Sequence, residues 1–363
     1  MKAHRSLMRA VSAYLLLVLP TACSSSEEPI NNLPLALQSV VDGRIVPAVS
    51  SFVSETEAFA TAADDLCATP DEPSLIALQN RWLSMARQWN RLAPYIFGPL
   101  DDDPIIPSFI FIESMRQRGV DYTNTVRTTR DSALNGAETL DEAFFNDLGF
   151  NRIGLLALEV LSFETSTSTP TASPNDIIDE YDQQPRKCVY IQGLSQQLVT
   201  RAQRVQQQWT ASFGDSGTDY RSLFLDADLP DGVAPEVQLL VAVIDQLEFV
   251  RRRKLEGIVD ARAATAAQPG ARPFFANLTA TIEEIERLLN AREANVSLFD
   301  VMTERGRQAD VRAVEGQIQT ARALIEADDL DEIADAFLEL ETSFRQEIPL
   351  ALGIELGLNF SDG

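Results

Sequence analysis

Residues 153–163 read Ile153-Gly154-Leu155-Leu156-Ala157-Leu158-Glu159-Val160-Leu161-Ser162-Phe163, and Glu159 is the single charged side chain in this near-continuous apolar run. As a helix the run has no polar face, so other elements must cover it on every side. A carboxylate in such a place is costly unless it is neutralised or hydrogen-bonded. Glu159 therefore requires a cation, a donor or a proton. One reading makes it a core carboxylate that ties two helices together; the other makes it the remnant of a metal site.

Outward from this run, nearly every apolar pattern has helical spacing. Ile45, Val49, Phe52, Val53, Phe59, Ala63 and Leu66 form one stripe, and Leu75, Leu78, Trp82, Met85, Trp89 and Leu92 repeat at steps of three and four, the spacing of a bundle seam. Asp71 stands where a helix cap is expected, Pro73 suits the first turn, and Pro94 ends the pattern by removing a donor. Turns and short helices are expected from Pro94 to Asn135, where Gly98-Pro99, Pro104 and Pro107 surround Asp101-Asp102-Asp103. That acidic triplet reads as a solvated loop, since calcium loops need a ligand spacing it lacks. From Leu140 the helical pattern runs into the apolar helix and stops at the Ser/Thr/Pro tract Thr165 to Pro174. A further helix spans Cys188 to Trp209, and Gly214-Asp215-Ser216-Gly217 marks a boundary. Past it, helices are marked by Val237 to Leu247, Phe275 to Leu289, Val311 to Ile325, and Ile333 to Leu340. No useful strand alternation appears, so the chain reads as all-α, with two domains expected from its length.

The N-terminus carries Lys2, Arg5 and Arg9, an apolar run from Tyr14 to Leu19, and then Thr21-Ala22-Cys23. This is the layout of a bacterial signal peptide over residues 1–22, too short to span a membrane. Cys23 followed by Ser24, Ser25, Ser26, Glu27 and Glu28 resembles a lipoprotein start, with Cys23 lipidated and residues 23–34 as a polar tether, although Pro20 replaces the usual aliphatic residue. The expected location is the cell envelope, on the periplasmic side of the outer membrane or at the cell surface, with membrane contact by the lipid anchor only. Simple secretion is the alternative.

Setting the three leader cations aside leaves 27 basic against 54 acidic side chains, a charge of about −27. Nucleic acid demands a basic face and is excluded as a partner. The one basic cluster, Arg251-Arg252-Arg253-Lys254, sits late in a helical pattern and reads as the complement of a helix C-terminus. With Cys23 set aside, Cys67 and Cys188 remain, and an exported pair is expected to form one disulfide; two buried thiols are the alternative. The sole histidine, His4, lies in the leader. That removes zincin chemistry and imidazole-dependent triads, and no catalytic residue is assigned. A metal site would have to be built of oxygens, which suit calcium, magnesium, manganese or ferric iron.

Gly154, Leu156 and Glu159 fall on a pattern that resembles the GxHxxE motif of the imelysin family, also called M75 peptidase-like, with Leu156 where the family has histidine. Pro47, the Leu66-Cys67 pair, Trp82 and Trp89 leading to Phe97-Gly98-Pro99, and the ending Leu352 to Gly363 extend the likeness. The resemblance implies two packed antiparallel helical bundles, here 35–213 with the degenerate motif and 214–363. It also implies a link to bacterial iron uptake, with the motif's histidine and glutamate as metal-ligand candidates. Only Glu159 matches here, so iron or another hard cation is expected to bind weakly. The favoured reading is a non-catalytic lipoprotein that binds a metal complex or an envelope protein. A carboxylate-only metallopeptidase and a structural or interaction protein are the alternatives.

Overall fold

The seam from Leu75 to Leu92 is buried throughout, with Trp82 and Trp89 fully enclosed. It lies on α3 (Glu72–Leu92), which begins as expected: the Asp71 carboxylate accepts from Ser74 N, the Ser74 hydroxyl answers toward Asp71 N, and Pro73 occupies the first turn. The two groups satisfy amides that would otherwise lack partners. The computed structural model describes residues 31–116, 120–167, 172–255 and 272–357. The leader expected over residues 1–22 with His4, the lipidation candidate Cys23 and the closing residues 358–363 lie outside the described residues.

Before α3 the chain runs through α1 (Leu33–Val40), a π-helical turn (Val41–Ile45) and α2 (Val46–Ala68). Short 3-10 turns occupy much of 93–116. Then come α4 (Thr123–Asn135), α5 (Glu142–Asn146), α6 (Gly154–Phe163), α7 (Pro174–Gln183), α8 (Pro185–Thr210) and α9 (Tyr220–Leu225). After the turn at 213–218 follow α10 (Pro235–Phe249) with a second π-helical turn (Val250–Leu255), α11 (Arg272–Leu289), α12 (Leu298–Glu304), α13 (Gln308–Glu326), α14 (Leu330–Arg345) and α15 (Glu347–Leu352). There is no strand among the described residues, and the fold is all-α.

α2 packs against α3 and α8, and α6 lies against α3, α4 and α8. Later in the chain α14 meets α10 and α13, while α11 packs on both α13 and α3. Residues 32–363 form one compact unit in which the segments 35–213 and 214–363 share a hydrophobic core. A buried ion pair reinforces the α3–α11 side: the Arg44 guanidinium donates to Glu284 at 3.0 and 2.5 Å, and the Tyr95 hydroxyl donates to the same carboxylate at 2.7 Å. Among the described residues no helix is long and apolar enough to cross a membrane.

The helical pattern expected to run on from Leu140 is broken before the apolar helix. α5 is a short helix, a 3-10 turn follows at Phe150–Arg152, and α6 starts afresh at Gly154. The break has a steric cause. Gly154 has φ +78°, and a Cβ there would stand 2.5 Å from the Ile112 carbonyl oxygen and 2.6 Å from that of Phe111. Only glycine allows both the left-handed backbone and this approach. The Ile112 carbonyl accepts from Leu155 N at 2.9 Å, and Trp82 Nε1 donates to the Leu155 carbonyl at 3.1 Å. At the other end, Tyr181 donates to the Leu161 carbonyl and Gln79 to that of Ser162. Arg127 forms two 2.7 Å bonds to Glu164. α6 is thus fixed at both ends by neighbouring elements.

Cys67, near the end of α2, and Cys188, in the first turn of α8, form a disulfide with a Cα–Cα distance of 5.5 Å and 121 residues of sequence separation. Closing so long a loop removes freedom chiefly from the unfolded chain. The double substitution Cys67→Ser/Cys188→Ser should lower the unfolding free energy by about 2–4 kcal/mol, as read from urea denaturation; an unchanged midpoint would show that the bridge adds nothing to helix packing.

Candidate functional site

The segment that supports Gly154 also delivers the central carboxylate of the site. One residue beyond the Ile112 carbonyl, Glu113 turns inward and is 1% exposed. Three donors converge on it: Trp89 Nε1 at 2.6 Å, Arg116 Nε at 2.9 Å and Lys254 Nζ at 2.8 Å. Trp89 comes from the α3 seam, Arg116 from the last 3-10 turn before α4, and Lys254 from the π-helical turn after α10. The Arg116 guanidinium lies 4.3 Å from the centre of the Phe249 ring and also donates to Gln246.

The π-helical turn changes the reading of the basic cluster. Arg252 and Arg253 are exposed, but Arg251 and Lys254 point inward and are buried. Arg251 pairs with Glu341 of α14 at 2.9 Å, and Lys254 pairs with Glu113. Two of the four cations are thus counter-ions in the interior, whereas the sequence reading made the cluster a complement of a helix C-terminus. Wider turns of this kind often occur where a helix is re-aimed for a purpose.

Glu159 belongs to the same electrostatic unit. It is half-buried while Gly154 to Leu158 and Val160 to Ser162 are buried, and its charge favours the protonated form of Lys254. Lys254 therefore sits in the field of two carboxylates, Glu113 and Glu159. Burial alone pushes the Glu113 carboxyl upward, but Lys254 and Arg116 outweigh burial and hold it down at about 2. Burial draws Lys254 below the usual lysine range, with Glu113 opposing. Each partner thus favours the charged form of the other.

The donor chemistry does not fit a metal ion. Leu156 is 3% exposed and contributes hydrocarbon to the core. Glu113 is engaged by an indole, a guanidinium and an ammonium. Among the described residues no group of three or more His, Cys, Asp or Glu side chains is arranged to hold an ion, whereas hard cations take six or more oxygens.

Beside this network opens a cleft of about 880 Å³, lined by Asp101, Asp231, Asp245 and Glu355 around the Phe97 and Tyr220 rings. Its carboxylates repel one another. Burial, then Asp102 and Asp231, raise Asp101; desolvation and then Glu248 push Asp245 up to about 6, although Asp245 retains exposure. The acidic triplet is more ordered than a solvated loop: Asp103 accepts from the amides of Ile105 and Ile106, and Asp102 accepts from Ser108 N and Oγ.

The description of the imelysin family, Peptidase M75, matches residues 45–353. The chain belongs to the imelysin family. Its fold is similar to the crystal structure of an imelysin-like protein from Psychrobacter arcticum 273-4, at 17% identity and a TM-score of 0.68, covering 90% of this chain and 96% of that one. A protein from Parabacteroides distasonis ATCC 8503, described provisionally as an iron-regulated protein A precursor, is 14% identical with a TM-score of 0.61, covering 90% of this chain and 97% of the other. No curated protein matches this imelysin significantly.

Of the residues singled out from sequence, Gly154 begins α6 and Glu159 lies midway along it, Leu156 lies in the core between them, and Cys67 and Cys188 are joined. Glu113, Arg116 and Lys254 were missed as a group. The i,i+3 spacings of Glu113 with Arg116 and of Arg251 with Lys254 were the available signals, and nothing local to Glu113 points to Trp89 or Lys254.

Two outcomes test the network. Lys254→Met leaves a buried carboxylate short of its counter-charge and should cost about 3–5 kcal/mol, while adding Glu113→Gln in the Lys254→Met background should recover part of that loss; equal or additive losses in urea denaturation would show that the two side chains are uncoupled. For pH, Glu113 has a folded pKa below its unfolded value of 4.5. Its stabilisation is complete above about 4.5 and is lost as pH falls toward about 2. Asp245 has the opposite sign: its raised value makes ionisation unfavourable to the fold between about 4 and 6, so stability from this group grows as pH falls through that window. Asp245→Asn should accordingly raise Tm at pH 7.5, and the advantage should vanish below pH 4 in thermal scans.

Proposed function

We propose that this imelysin is a non-catalytic protein of the bacterial cell envelope, held by a lipid on Cys23, that serves iron acquisition by binding a metal complex or an envelope protein. The observation that carries the reading is the buried Lys254 ammonium. It stands in the field of Glu113 and Glu159, where a metal-dependent hydrolase would need an open cation and a water to activate. The motif has become a neutralised junction between α3, α6 and the turn after α10. The provisional description of the Parabacteroides protein as iron-regulated supports the link to iron, and the leader with Ser24 to Glu28 behind Cys23 supports an anchored, solvated position.

The function is tested in the source bacterium. Deleting the gene should slow growth in iron-depleted medium, and both the native gene and one carrying Glu159→Ala should restore it. Equal growth of the deletion strain and its parent under iron limitation would overturn the assignment. On purified protein, iron and zinc should bind the native chain no more tightly than the Glu159→Ala variant. Chelator-sensitive cleavage of unfolded protein substrates by the native chain, lost in Glu159→Ala, would replace the binding reading with a peptidase.

A further inference from the structure

A second cleft, of about 600 Å³, runs along α8 between α5 and the segment around Ser108, and the ion network described above has no part in it. One wall is polar: Gln192, Gln196, Thr200, Arg201 and Arg204 follow one another along α8. The floor is apolar. At Gly193 a Cβ would stand 2.0 Å from the Phe145 ring, so the glycine lets that ring lie directly on the helix backbone, and Leu140 and Val189 continue the apolar surface, Val189 being 43% exposed.

The arginines set the character of the cleft. Most of the described arginines are matched to a carboxylate, as Arg44, Arg91, Arg116, Arg127, Arg221 and Arg345 are. Arg201 and Arg204, one helical turn apart, form no ion pair with any described residue. Arg201 lies 4.1 Å from the centre of the Phe111 ring, and its Nε is buried without a hydrogen-bond partner. Burial and then Arg204 draw the Arg201 guanidinium below its ordinary range; Asp102 opposes this without making contact. Asp141 and Glu142 lie near the other end, where α5 meets α8, and Asp141 is occupied in capping Phe144 N. Two neighbouring guanidinium groups with unused donors, at the end of an apolar trough, match an oxyanion bound to a hydrocarbon body.

We propose that this cleft binds a small amphiphilic anion, with its carboxylate or phosphate on Arg201 and Arg204 and its apolar body on Phe145, Leu140 and Val189. Heptanoate, heptyl phosphate and heptylamine titrated calorimetrically into the native chain distinguish the possibilities. At least one of the two anions should bind at millimolar concentration or below while heptylamine does not, and the tighter anion identifies the headgroup. Arg204→Gln, on an exposed side chain, and Arg201→Gln should each weaken that anion by about tenfold, whereas Arg312→Gln on α13 should leave it unchanged. Absence of binding by both anions, equal binding of the amine, or affinity undiminished in both cleft variants would overturn the proposal.

Discussion

Glu113 is one carboxylate held by three donors from three parts of the chain, and much of this imelysin is organised by the need to satisfy it. A charge so deeply buried is tolerable only when opposite charge and hydrogen bonds surround it. Trp89 therefore presents its indole nitrogen from the seam, Arg116 folds back from a tight turn, and a helix widens so that Lys254 reaches inward. Each concession has a local reason that disappears if the carboxylate is removed from consideration. The bond between the Ile112 carbonyl and Leu155 then places the motif helix beside the same junction, so Glu159 comes to share a counter-ion that its own helix does not supply.

Much of the scaffold was legible from sequence because it rests on periodic burial. The steps of three and four from Leu75 to Leu92 give α3 and its buried face, Asp71 and Pro73 give its start, and the two remaining cysteines meet where an exported pair is expected to meet. The site was much less legible. Glu113 lies among 3-10 turns without a repeating pattern, and its partners are separated from it by up to 141 positions of sequence. The basic run at 251–254 read as the complement of a helix C-terminus because spacing alone does not reveal a π-helical turn. The approach of the Phe111 and Ile112 carbonyls to Gly154 belongs to the same class: it is a tertiary demand written on a single residue, and it ends the helical pattern that Leu140 begins.

The two clefts have opposite electrical character although they lie on one acidic protein. In the larger, aspartates and a glutamate lie about aromatic rings, and burial together with neighbouring carboxylates raises Asp101 and Asp245. In the smaller, two arginines that form no ion pair with any described residue stand beside an apolar floor. Asp102 connects the regions physically: it accepts from Ser108, which borders the smaller cleft, while lying at the edge of the larger. A diffuse negative charge favours solubility, but these local departures from it are where recognition has chemical content.

Two separate constraints act on the start of α6. The glycine answers to a neighbouring loop that passes too close for any side chain, and this obligation persists whatever stands at position 156. The third position answers only to whatever occupies the space beyond it, and here that is hydrocarbon. The glycine is therefore fixed by the path of the Phe111–Ile112 backbone and carries no information about the chemistry at position 156.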